Sequence, residues 1–422
     1  MSIHTAAEKK EKKPSLWRGL GQNEKLILVL FLLLTVEYIY NYYIDEGVLP
    51  KLLIYVNAAV AVFVPVWAFL TQSERLPLSG YSMWLLLCFL GVLFITAVMA
   101  LFNGRIARDV VCTTVYLHIL SAIFLQRLKL PFFEKLFSVT LFLGLVGFAF
   151  AFSRIDFDLS LAINRGYQWE EIFFYTTLFW CVTPYLILKL LKGDSLYLPL
   201  LYLSALVALN LIIVKRMILL QLGVILAVVI LILLFGNPPN RKRSTLQILG
   251  FLAIVFLIAR LFLWDTVTEL FQSLFDRTLE SSEDLSTFNR FVETFNYLGE
   301  ASPPEIVIGR GFGGTHTGLG DVAEALHVGW GNFILKGGIP LFLVMAIPYG
   351  RLLGLIGRYK ELDGEERFAF WHLIYSFPML FLSNMHSFSP TLFLYVYCCI
   401  KIMNVKKKEE RRYGIQKALG TP

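Results

Sequence analysis

Apolar residues along this chain fall into long runs separated by short polar links. Crossing a hydrocarbon core about 30 Å thick takes about 20 residues of helix, and twelve stretches qualify. They are residues 26–43, 52–70, 81–102, 110–126, 136–153, 172–192, 197–214, 217–235, 246–264, 328–350, 368–383 and 389–404. The runs lack the two-residue alternation of a transmembrane barrel. The pattern therefore predicts an all-α polytopic membrane protein. Its parts are a basic tail at 1–25, transmembrane helices one to nine over 26–264, a large loop at 265–327, helices ten to twelve over 328–404, and a second basic tail at 405–422.

The loop at 265–327 has its own periodicity. From Val267, the residues Leu270, Phe271, Leu274 and Leu279 recur at helical spacing and predict an amphipathic helix at the membrane interface. A second helix is predicted from an N-cap at Ser286 or Thr287 to Gly299, with Phe288, Phe291, Val292, Phe295 and Leu298 as its apolar stripe. Pro303-Pro304 then lead to the turn Gly309-Arg310-Gly311-Phe312-Gly313-Gly314. No strand–helix unit surrounds this turn, so it is not a nucleotide loop; its glycines suit a close backbone approach to neighbouring helices or a ligand. His316, in the glycine-rich stretch that follows, is expected to be solvated.

Composition agrees: of 422 residues, 57% are hydrophobic and the mean hydropathy is +0.65, which excludes a water-soluble domain. Charge then sets the sides. Lys9, Lys10, Lys12, Lys13, Arg18 and Lys25 precede the first run, with no cleavage site after it, and basic residues recur on every second link and in the C-terminal tail. The positive-inside rule puts both termini in the cytoplasm and the large loop outside, which in a bacterial inner membrane is the periplasm. The net charge of +7 is mostly these anchors, whose partners are lipid headgroups, not nucleic acid. The five cysteines fall in predicted spans and suggest neither a disulfide framework nor a metal pattern.

On the outer face the cations are mostly arginine: Arg105, Arg108, Arg154, Arg165, Arg216, Arg277, Arg290 and Arg310, with Lys51 and Lys215. A planar guanidinium grips phosphate oxygens in pairs and stays charged, which suits a lipid-borne pyrophosphate. Lys215-Arg216 interrupt an apolar stretch from Tyr197 to Phe235 that as one helix would be about 58 Å long, so the chain must fold back there. These two cations either reach lipid headgroups or hold a ligand phosphate. Arg290 is either a solvent-facing helix charge, paired to Glu293 or Glu283, or a ligand contact. Asp156-Phe157-Asp158 is a solvated loop pair or, less in keeping with its lack of further oxygen ligands, a divalent-metal site. His327 sits where the loop re-enters the membrane, with Glu324 three residues earlier; it is a structural hydrogen-bonding residue or a general base oriented by Glu324 or Asp321. His118 and His386 lack comparable surroundings.

Together, Lys215-Arg216 in a hairpin link, Asn289-Arg290-Phe291 early in the loop, the Gly-x-Gly-x-Gly turn, and His327 eleven residues before Gly338-Ile339-Pro340 resemble the O-antigen polymerase/ligase superfamily. The resemblance covers the C-terminal half; the N-terminal half shares only its span count. The family's histidine is commonly followed by Asn, whereas Val328 follows here and Asn332 is the nearest amide. The resemblance implies a GT-C-like glycosyltransferase using undecaprenyl-pyrophosphate-linked glycan as donor and acceptor, with a chain-length regulator as a further partner. Arg216 and Arg290, with Lys215 and Arg310, would hold the pyrophosphate, and His327 with Glu324 would serve the acceptor hydroxyl. No cofactor or obligatory metal is implied. An O-antigen ligase or protein O-oligosaccharyltransferase would use the same donor. A transporter would share the span count, and Lys336 beside Gly337-Gly338 is the feature that favours it.

Overall fold

The computed structural model describes residues 20–21, 24–25, 28, 48–71, 78–103, 116–125, 128–137, 183–192, 216–236, 238, 241–262, 264–265, 268, 272, 287–318, 322–323, 325–382 and 389–405. Among these the chain is almost entirely helical. The helices are α1 (Val48–Thr71), α2 (Gly80–Asn103), α3 (His118–Phe124), α4 (Thr183–Lys192), α5 (Arg216–Leu231), α6 (Arg241–Phe262), α7 (Thr287–Glu300), α8 (Pro303–Ile308), α9 (Gly329–Ile356), α10 (Gly364–Leu382) and α11 (Ser389–Met403). Residues 130–137 are also helical, and a π-turn, Ile232–Gly236, extends α5. No strand occurs among the described residues; the one β-type pairing is an antiparallel bridge between His316 and Ala323. Predicted runs one, five and seven, the expected interfacial helix near 267–279, Lys215, Asp321, Glu324, His386 and the Asp156–Asp158 pair lie outside the described residues or are barely touched by them.

Helices α10 and α11 form the centre. Every residue from Leu392 to Ile400 is at most 2% exposed, and α10 packs against α11, α5, α4 and α9. Beside them, Phe133 stacks on Phe368 and meets Tyr397 at a tilt. The outer helices carry large apolar residues on the surface, among them Phe69, Trp84, Phe94, Phe102, Leu246, Phe256 and Leu261. Water solvates such a surface poorly; it suits helices that meet lipid. Two helices, Gly80–Phe102 and Gly329–Ile356, are long and apolar enough to cross a membrane.

Long-range contacts fix which helix ends lie together. Tyr81 donates to the Val344 carbonyl, and Phe312 N–H donates to Thr96 Oγ1 at 2.8 Å, so α2 and the second part of α9 run antiparallel, with the α2 C-terminus beside the loop. At the opposite end, Lys401 pairs with Glu365 at 2.7 Å and Tyr397 donates to the Leu128 carbonyl. Helix α5 spans these two ends: Gly236 packs on Ile356 and Tyr359, and near its start Gln221 donates to the Tyr375 carbonyl at 3.1 Å. Arg216 is five residues before Gln221, and Leu380 is five residues after Tyr375 on an antiparallel helix. Both come about 7.5 Å beyond that bond toward the loop end.

Helix α9 is broken. Gly337 and Gly338 leave helical geometry, Gly338 with φ of 65°. The rings of Trp330 and Phe342, twelve positions apart, lie 6.4 Å from centre to centre, whereas a straight helix would separate their backbones by about 18 Å. The chain thus turns sharply after Lys336, and the expectation of one uninterrupted tenth span is corrected to a short helix followed by a longer one. The break frees carbonyls that the glycine turn satisfies: Arg310 N–H donates to Leu335 O at 2.7 Å and Gly311 N–H to Lys336 O at 3.0 Å. Gly309, with φ of 78°, lies so near this break that a Cβ there would come within 2.5 Å of Lys336 O. The expected close approach of the glycine turn to neighbouring helices is what the structure contains.

Candidate functional site

Helix α7 is where the sequence pattern and the packing part company. Its limits, Thr287–Glu300, match expectation, but its apolar stripe is not its most buried face: Phe291, Val292 and Leu298 are half-buried and Phe295 is exposed. Phe295 is 60% exposed, while Glu293 and Thr294 on the other side are 1% and 0% exposed. In water this arrangement would be inverted, since burying a Phe side chain is worth about 1.5–3 kcal/mol. An apolar medium beside the stripe removes the contradiction. Glu293, Thr294 and Tyr297, with half-buried Arg290, form the inward face, and the loop is stitched to the helix. Asn296 Nδ2 donates to Gly318 O at 2.8 Å, Thr317 Oγ1 donates to Glu300 at 3.1 Å, and Gly318 lies against the Glu293 backbone.

Glu293 is the centre of the resulting cluster. One oxygen, Oε2, accepts two hydrogen bonds from His327, from the backbone N–H at 2.9 Å and from ring Nδ1 at 2.9 Å. The other, Oε1, lies 3.6 Å from His316 Nε2. Burial pushes the Glu293 carboxyl up, but the side-chain and backbone hydrogen bonds from His327, with the positive potential of His327 and His316, outweigh it and hold the pKa below its ordinary value of 4.5. Glu293 is therefore an anion at neutral pH. A carboxylate on Nδ1 assigns the proton to that nitrogen and leaves Nε2 with its lone pair. The His327 side chain is 41% exposed, so Nε2 belongs to an accessible ring held by a buried anion. That is the arrangement of a general base and its orienter.

His327 is held from behind by Asn332. Leu326 N–H donates to Asn332 Oδ1 at 2.8 Å, and Asn332 Nδ2 donates back to Leu326 O. With 0% exposure, this amide clamps the residue before His327 from the first turn of α9. The site's amide thus comes from the helix, not from the residue after the histidine.

The expected arginines divide. Arg290 lies one turn before Glu293 on the same face of α7, half-buried instead of solvent-facing. Arg216 opens α5, whose start is level with Leu380; the backbone of Leu380 in turn touches Gly329, two residues after His327. Arg310 serves the fold: Nε pairs with Glu305 at 2.9 Å, Nη1 donates to Thr315 O at 2.6 Å, and the guanidinium lies 5.3 Å from the centre of the Tyr297 ring. Glu305 also accepts from Ser302 N–H and Oγ at 2.8 and 2.9 Å, capping α8. With these internal partners, Arg310 braces the turn. Lys336 is likewise committed, donating to Gly314 O at 2.9 Å at the end of the short α9 segment.

His316, expected to be solvated, is 2% exposed. Its backbone is bridged to Ala323, with N···O distances of 2.9 and 3.0 Å, and its ring lies beside Glu293 and Tyr297 of α7. The carboxylate at His327 is Glu293, which the sequence pairs only with Arg290. The missed signal was its position opposite the apolar stripe, once that stripe is taken to face lipid. Asn332, a lone amide in an apolar run, was a second signal, because such groups at membrane depth need partners. Nothing in the local sequence marked His316. Among the described residues no group of His, Cys, Asp or Glu side chains is arranged to hold a metal ion. No protein-family model, curated protein or solved structure matches the chain.

Proposed function

We propose that this protein is a polytopic inner-membrane glycosyltransferase that polymerises undecaprenyl-pyrophosphate-linked oligosaccharide units at the periplasmic face. The observation that carries this reading is the Glu293–His327 pair: a buried anion on Nδ1 of an accessible histidine, at the end of the helical body where α2 and α10 finish. Arg290, one turn from Glu293, supports it, as does the start of α5 at Arg216 near the same level. The exposed Phe295 of α7 and the apolar surface of the outer helices support the twelve-span membrane topology.

In the proposed step, an acceptor sugar hydroxyl attacks the anomeric carbon of the donor. Its proton passes to His327 Nε2, the new glycosidic C–O bond forms, and the bond from the anomeric carbon to the pyrophosphate oxygen breaks with its electron pair staying on the leaving group. Arg290 and Arg216 offset the charge that develops there. Glu293 stabilises the imidazolium until the proton is released. The buried carboxylate replaces Glu324 as the orienter in this scheme, and Arg310 is left out of the pyrophosphate set.

An O-antigen ligase or protein O-oligosaccharyltransferase would use the same donor half of the site. A transporter has less support, because the carbonyls freed at the α9 break are taken by Arg310 and Gly311 N–H groups and Lys336 by Gly314, so none of these is left to coordinate an ion. Purified protein incubated with an undecaprenyl-pyrophosphate oligosaccharide alone separates these readings. A product ladder is the expected result, transfer only on adding lipid A or a protein acceptor makes it a ligase, and no transfer to any acceptor overturns the glycosyltransferase reading.

A further inference from the structure

Glu293 is held from two sides, and only the His327 side enters the proposed chemistry. On the other side, His316 Nδ1 accepts a hydrogen bond from Gly318 N–H at 3.2 Å. An acceptor nitrogen carries no proton, so the neutral ring bears its proton on Nε2, the atom 3.6 Å from Glu293 Oε1. That distance is too long for a hydrogen bond, and among the described residues the buried Nε2 has no hydrogen-bond partner. Its N–H dipole therefore acts on Oε1 electrostatically, in a setting whose low dielectric strengthens the effect.

The surroundings leave the His316 ring little freedom. Its backbone is bridged to Ala323, Tyr297 lies edge-on at 6.4 Å, and the flanking Thr317 is tied to Glu300. Among the described residues, the charged and titratable groups on the elements around it are Arg290, Glu293 and Glu300 on α7, His327, and Arg310, which covers Tyr297 and pairs with Glu305.

We propose that His316 is a positioning residue for this site, the dipole of its Nε2–H drawing negative charge toward Oε1 of Glu293 while Oε2 accepts from both donors of His327. His316 thereby tempers the carboxylate: a dipole beside Oε1 lowers the proton affinity that Oε2 presents to Nδ1. Nδ1 of His327 then faces a weaker acceptor than an unshared carboxylate would present. This inference rests on His327 as proton acceptor, but its test needs no transfer reaction.

The test is a ¹⁵N-histidine NMR titration of the full-length protein in nanodiscs, with the six histidines assigned by single substitution. In the wild type, His316 should appear as the neutral Nε2–H form and His327 as the Nδ1–H form. His316→Leu should raise the His327 midpoint by about half a pH unit or more. His316→Gln, whose amide N–H can replace the ring donor, should hold it near the wild-type value. In a Glu293→Gln background His316→Leu should have no further effect, because its influence passes through the carboxylate. A wild-type His316 protonated on Nδ1, or a His327 midpoint unmoved by His316→Leu, overturns the inference; should that variant not fold, the wild-type tautomer decides. Loss of all transfer activity with these titrations intact would refute the glycosyltransferase reading and leave His316 in place.

Discussion

At the scale of residues, the site depends on one buried carboxylate. Leaving a buried hydrogen-bonding group without its partner costs about 1–3 kcal/mol. Glu293→Gln keeps the shape and an acceptor oxygen but loses the charge that stabilises an imidazolium. We expect kcat to fall about 100-fold or more with the donor KM little changed, read as transfer rates over donor concentration. Glu293 also gives stability a pH dependence. Its folded pKa is below the ordinary 4.5, so its contribution is full above that value and is lost as pH falls through the lower folded one. Thermal melting in detergent should therefore show a midpoint that drops below pH 4.5, and Glu293→Gln should flatten that acid limb. A limb of equal steepness in the variant would assign acid sensitivity to other carboxylates.

Among the elements, the broken α9 and the glycine turn hold the loop on the helices. Phe312 fills a socket with 0% exposure, stacking on Tyr116 at 4.3 Å and meeting Phe89 at 5.4 Å. Phe312→Ala should cost about 3–5 kcal/mol, seen as a lower melting temperature. Gly338→Ala should also destabilise, since its positive φ and the adjacent Val307 backbone leave no place for a Cβ. The orientation of α7 has its own test. Phe295→Cys in proteoliposomes should react with a membrane-soluble maleimide and resist a membrane-impermeant one; rapid labelling by the impermeant reagent would put the stripe in water. Element limits were the legible part of the chain. The expected 81–102, 287–299 and 389–404 became Gly80–Asn103, Thr287–Glu300 and Ser389–Met403, because apolar run length and capping residues are local signals. The break in α9 was not legible, because Gly337-Gly338 is tolerated in a continuous helix until a partner such as the glycine turn captures the freed carbonyls.

Across the whole molecule, the helical class and its lipid-suited surface follow from apolar runs that no water-soluble chain could leave exposed. The site is different in kind. His327 and Arg290 could be singled out by position, yet the partner of His327 is 34 residues away, and His316 enters only through its backbone bridge to Ala323 and the contacts of Thr317 and Gly318 with α7. Such meetings are set by tertiary packing, which periodicity does not encode. The central claim is that this end of the molecule transfers a glycan from a lipid pyrophosphate with His327 taking the acceptor's proton. Its most direct test is the rate of glycan transfer from undecaprenyl-pyrophosphate oligosaccharide by purified wild-type and His327→Ala protein, both verified as folded and inserted. The account predicts product with the wild type and a loss of about 100-fold or more in the variant; transfer at the wild-type rate by His327→Ala, or none by the wild type with any acceptor, would contradict it.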